Sequence, residues 1–159
     1  MTNLYVHDAS GFREAQLPEI LERAHALLSQ RYRAGAPVLS SPALTREFLR
    51  TRLAGRDRET FGVVLVDVRN RLIAVEELFH GTIDRASVHA REVVKIAIQH
   101  NASGLIAFHN HVTGVSEPSA ADELLTRHLK EACALLELRL LDHFIIADPI
   151  YSFAEAGLI

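Results

Sequence analysis

The 159-residue chain has one cysteine, no tryptophan and no excess of basic charge. Two of these shortages remove a class of function. A single cysteine, Cys133, excludes a disulfide within the chain and a cysteine-based zinc site. Its place in an amphipathic helical pattern marks it as a small core residue rather than a nucleophile. A net charge of −3 supplies no basic stripe of the kind that marks a nucleic-acid-binding face. Arginines do gather at Arg46, Arg50, Arg52, Arg56 and Arg58, and they read as a solvated helix face and its exit. No stretch reaches the roughly 20 apolar residues of a membrane span. The opening "MTNLYVHDASGFREAQ" has neither a basic start nor an apolar run, so no signal peptide is expected. A cytoplasmic address is the default, with no membrane partner.

What is present suits a globular fold, since 48% of the residues are hydrophobic. Leu17, Ile20, Leu21, Ala24, Leu27 and Leu28 recur at helical spacing, and Gly35 and Pro37 close that helix. Ser41 is a candidate N-cap, Pro42 suits a first helical position, and Gly55 is a candidate C-cap. Residues 1–55 therefore read as a leader and two helices. Residues 1–40 form an N-terminal leader and helix, and residues 41–159 form the main domain. "TFGVVLVDVRNRLIAVEELFHG" reads as a hairpin turning at Arg69-Asn70, rich in β-branched residues. A helix follows with Val93, Val94, Ile96, Ala97 and Ile98 on its apolar face. "LIAFHNH" is a short strand, "SAADELLTRHLKEACALLE" a helix, "LRLLDHFIIAD" a buried strand, and "YSFAEAGLI" supplies a last short strand. A hairpin followed by alternating helices and strands requires a mixed sheet. The fold class is α/β (α+β), with that sheet packed between helices.

The chemistry concentrates in "HNHVTGVSEPSAAD", residues 109–122. Side chains at i and i+2 of a strand share a face, so His109 and His111 can reach one point. Two imidazoles suit zinc. Seven residues, including Gly114 and Pro118, form a loop to Ser119. Asp122 then sits in the first turn of the next helix and can complete a His-His-Asp set. Three protein ligands with one open position describe a catalytic zinc site rather than a closed structural one. The competing reading is a capping box, with Ser119 at the N-cap and Asp122 at the third helical position. One residue can serve both. His7 and His25 read as surface residues, and His80, His89, His100 and His128 have no motif around them. His143 reads as a core histidine, with a supporting role behind the ligands as the alternative. The literal "HNH" is not the nuclease motif of that name, whose three residues are spread over a ββα unit.

His-x-His, seven residues, Ser, two residues, Asp is similar to the JAMM (MPN-plus, JAB) metalloprotease motif. The blocks "LFHGT", Arg91-Glu92, "HNH", "EPSAAD" and "LLDH" resemble the RadC branch of that superfamily over residues 41–155. The chain is similar to short RadC-like proteins without a helix-hairpin-helix region. It departs from the family pattern at Val112 and Thr113, where Pro and Ser are usual, and at Ala90, where Pro is usual. The resemblance implies a single JAB/MPN-type domain with Zn2+ on His109, His111 and Asp122. It implies Glu59, in "ETF", as general base, with Glu77 as second choice and Glu76 also upstream. It also implies Ser119 as oxyanion donor and a protein or peptide substrate. Two other classes compete. One is a DNA-repair-associated, metal-dependent nucleic-acid factor, for which the charge gives no support. The other is a non-catalytic JAB-fold binding module, against which the complete ligand set argues.

Overall fold

The structure, a computed structural model, describes residues 5–8, 11–34, 39, 41–53, 55–81 and 88–159. It divides into two compact units, Met1–Gly35 and Ala36–Ile159. In the first unit β1 (Tyr5–Asp8) and β2 (Gly11–Glu14) pair antiparallel, and α1 (Leu17–Ala34) follows. The sequence pattern implies only a leader and a helix here. The two strands are an addition to that pattern, since four residues each are too few to display an alternation. Glu19 secures the start of α1, accepting from the Gln16 N–H at 2.9 Å and pairing with Arg13. The side chains of His7 and His25, and Gly35 and Pro37, lie outside the described residues.

The second unit begins with α2 (Pro42–Leu53). Ser41 caps it as expected, its hydroxyl accepting from the Leu44 N–H at 3.4 Å. Then come β3 (Thr60–Val66), β4 (Leu72–His80), α3 (Ala90–Gln99), β5 (Gly104–Asn110), α4 (Ala120–Leu135), β6 (Arg139–Ile146) and β7 (Tyr151–Ser152). The β3–β4 turn is tied by the Asp67 carboxylate, which accepts from the backbone N–H groups of Arg69 and Arg71 at 2.8 and 2.9 Å. Asn70 supplies the left-handed position the turn needs, at φ 57°.

The strand order is β4-β3-β5-β6-β7. Only β5 and β6 run parallel. Parallel neighbours need a crossover, and α4 provides it. Every residue of β5 is buried, as expected of a central strand covered on both faces. On one face Phe61, Val63, Leu65, Leu105 and Ala107 pack with Val93, Val94 and Ala97 of α3 and Leu125, Leu129 and Cys133 of α4. Ile98 was expected in that stripe but is 57% exposed. It stands one turn beyond Val94, rotated past the edge of the contact. On the other face Phe108 and Phe144 are paired in register, and the Arg46 guanidinium of α2 lies 5.6 Å from the Phe144 ring centre.

This layering leaves no space at Gly62, which pairs with Phe108. A Cβ there would lie 2.5 Å from both the Glu76 carbonyl oxygen and Phe108 Cζ. Gly62→Ala is therefore expected to cost about 1–3 kcal/mol through overpacking. Urea unfolding checks it. A midpoint equal to wild type would show that the sheet yields freely at this point.

Candidate metal centre

β5 carries its buried face straight into the motif. Leu105, Ala107 and His109 alternate on the side covered by α3 and α4, so His109 arrives under the N-terminus of α4. The strand ends at Asn110, but the backbone stays extended one residue further, where the His111 N–H bonds the Ile146 carbonyl at 3.3 Å. That keeps His111 on His109's face. The loop then turns tightly. Gly114, at φ 76°, donates its N–H to the His111 carbonyl at 3.0 Å, and the turn brings the Val115 carbonyl to His111 Nδ1 at 2.7 Å. Thr113 keeps a hydroxyl where the resembled pattern has serine, and that hydroxyl accepts from the Val115 N–H at 3.4 Å.

Ser119 and Asp122 open α4 as a capping box. The Asp122 N–H donates to Ser119 Oγ at 3.2 Å. Asp122 Oδ2 accepts from the Ser119 N–H at 2.8 Å and from its hydroxyl at 2.6 Å. The capping reading is thus present in full. It also aims the carboxylate at the histidines. His109 Nε2 lies 3.0 Å from His111 Nε2 and 3.2 Å from Asp122 Oδ1, and His111 Nε2 lies 3.5 Å from Asp122 Oδ2. The three residues form a group able to hold a metal ion.

The fit can be tested on these distances. Zinc bonds of about 2.0–2.1 Å in a tetrahedron separate neighbouring donors by about 3.3 Å. The two imidazole nitrogens are 3.0 Å apart, and each lies close to that value from one carboxylate oxygen, His109 from Oδ1 and His111 from Oδ2. The His109 and Asp122 side chains are buried, and the His111 side chain is 13% exposed, so the group opens to solvent on the His111 side. Burial alone would raise the Asp122 pKa. The bonds from the Ser119 hydroxyl and N–H work against that rise.

The sheet also locates the upstream glutamates. Glu59 immediately precedes β3, whose Phe61 pairs with His109. Asn110 ties the end of β5 to the backbone around Glu59. Its Oδ1 accepts from the Thr60 N–H at 2.7 Å and its Nδ2 donates to the Arg58 carbonyl at 3.1 Å. Glu77 pairs with Gly62 on the Phe108 face, away from His109, and is engaged by Arg52 and Arg56 at 3.2 and 3.0 Å. Glu76 pairs with His100 at 3.2 Å. Glu59 thus stands just before the strand that pairs with His109, and the two competitors are held elsewhere.

The sequence reading did not single out Asn110. A buried amide between two inward-facing histidines has to find partners on the other side of its strand, and that was the available signal. Cys133 is buried, and burial pushes its thiol up to about 11, which suits an inert core residue. No described helix is long and apolar enough to cross a membrane.

Residues 39–158 match the RadC-like JAB domain. The chain belongs to this family. Among relatives of the RadC-like domain, the UPF0758 protein of Thioalkalivibrio sulfidiphilus is 50% identical over 145 residues, covering 91% of this chain and 65% of that protein. The UPF0758 protein of Nitrosomonas eutropha is 47% identical over 146 residues, with 91% and 65% covered. That of Thiobacillus denitrificans is 50% identical over 153 residues, with 94% and 68% covered. The chain thus spans 65% of the length of the first two.

In this RadC-like domain the cap and the carboxylate are one device. Ser119→Ala removes the acceptor for the Asp122 N–H and one donor to Asp122 Oδ2. It is expected to cost about 0.5–2 kcal/mol of stability, measured by denaturant unfolding without metal. An unchanged midpoint would mean that the box does not hold the start of α4.

Proposed function

We propose that the chain is a zinc-dependent hydrolase that cleaves peptide or isopeptide bonds. One observation carries the reading: one ligand atom each of His109, His111 and Asp122 lies within 4.8 Å of the others, with the His111 side open. A bound divalent metal would supply Lewis acidity and lower the pKa of water to about 7. Every other part of the reaction falls to the chain. Glu59, just before β3, takes the proton of the attacking water and delivers it to the leaving amine, a role worth about 10²–10⁴-fold. Ser119 turns its hydroxyl from Asp122 Oδ2 toward the oxygen of the scissile carbonyl as charge develops there. The Asn110 clamp keeps Glu59 and the ligand strand in one register, so base and ligands do not drift apart. The substrate is a protein or peptide, approaching past His111. The complete ligand set, with its cap, favours catalysis over a passive binding module. A single cysteine, buried and unpaired, supports a cytoplasmic setting.

Metal analysis and turnover test this together. Protein prepared without chelator is expected to carry about one divalent ion per chain, and His109→Ala and His111→Ala are expected to lose it. Glu59→Gln should keep the metal and lose hydrolysis of a peptide and isopeptide panel by about 10²-fold or more, since an amide takes no proton at neutral pH. Wild-type protein that neither holds nor takes up a divalent ion would refute the proposal. Metal loss in Glu59→Gln would remove Glu59 from the role of base.

A further inference from the structure

His143 lies on β6 beside Ala107 of β5, fully buried, and apolar packing alone does not call for a ring with two nitrogens there. Its orientation is fixed by neighbours on both sides. The ring stacks on Phe153 with centres 4.8 Å apart and meets the edge of Phe61 at 6.0 Å. Both ring nitrogens are engaged. Nδ1 is 2.7 Å from Thr126 Oγ1, and Nε2 is 2.9 Å from His109 Nδ1.

Donor accounting assigns the protons along this chain. Thr126 Oγ1 is 2.7 Å from the Asp122 carbonyl oxygen, which can only accept, so the single hydroxyl proton points there. The remaining contact of Thr126 Oγ1 must then be one it accepts, from His143 Nδ1–H. A ring carrying its one proton on Nδ1 has a lone pair on Nε2. His109 Nδ1 must therefore donate to His143. With its proton on Nδ1, His109 has a lone pair on Nε2, the nitrogen that faces His111 and Asp122.

We infer that Thr126 and His143 are positioning residues that hold His109 with its proton on Nδ1 and its Nε2 lone pair aimed into the metal site. The inference rests on the metal reading proposed above. The relay also closes a loop. Thr126 stands one turn after Asp122 and bonds that residue's own carbonyl, so two ligands from different elements, β5 and α4, are joined through β6. Rotation of the His109 ring or a slide of α4 breaks the loop. A free His109 divides its proton between two ring nitrogens and wastes the fraction that carries it on Nε2.

The test uses the full chain as wild type, Thr126→Val and Thr126→Ser. Valine keeps the shape of threonine and removes the acceptor. The first readout is the ring nitrogen shifts of His143 in metal-free protein, from long-range proton–nitrogen NMR. The second is the zinc dissociation constant, from competition with a chromophoric chelator. In wild type the His143 proton is expected on Nδ1. In Thr126→Val it moves to Nε2, and zinc binding weakens about 10–100-fold, the usual scale for losing a partner behind a ligand. Thr126→Ser restores both. The relay is overturned if Thr126→Val leaves the His143 proton in place and the zinc constant within about twofold of wild type, whatever its effect on stability. If the proton moves as expected but wild type binds no zinc, the relay stands and the metal reading fails.

Discussion

Two imidazole nitrogens and a carboxylate, all poised to accept, are pressed within about 3.5 Å of one another at the end of β5. Lone pairs at that spacing repel unless a cation or a proton lies among them, and the rest of the fold is arranged to keep them there. β5 is buried on both faces and cannot twist away. His111 is tied to β6 through its backbone N–H and to its own loop through Nδ1. Asp122 cannot swing out, because the capping box takes up one of its oxygens with two donors from Ser119. A buried carboxylate costs stability unless it is bonded, and here the bonds that offset burial also fix its direction.

The capping and metal readings of "SAAD" are therefore compatible. The cap is what would make Asp122 a rigid ligand, since its position at the third residue of α4 is set by backbone hydrogen bonds rather than by rotamer choice. The same economy holds at Asn110, whose one amide joins the end of β5 to the backbone on either side of Glu59.

Much of this was legible in the residues. The hairpin, both helices over the sheet, the mixed topology and the His-His-Asp group all followed from periodicity and spacing, because each depends on contacts between near neighbours in sequence. Other features depend on register across the sheet. The resemblance put Glu59 ahead of Glu77, and only the pairing of Gly62 with Glu77 and with Phe108 shows that Glu77 lies on the face away from His109. His143 is 34 residues from His109, and nothing short of the β5–β6 pairing brings their rings together. Ile98 failed for a related reason: helical spacing marks a stripe, but the contact surface decides its width. β1 and β2 were too short to announce themselves.

The central claim is that the end of β5 and the start of α4 form one tetrahedral metal site. Zinc K-edge X-ray absorption of the zinc-loaded full chain tests it most directly. The account predicts about four nitrogen and oxygen donors at roughly 2.0–2.1 Å, with multiple scattering from two imidazoles. A shell of six oxygens, or the signature of fewer than two imidazoles, would contradict it.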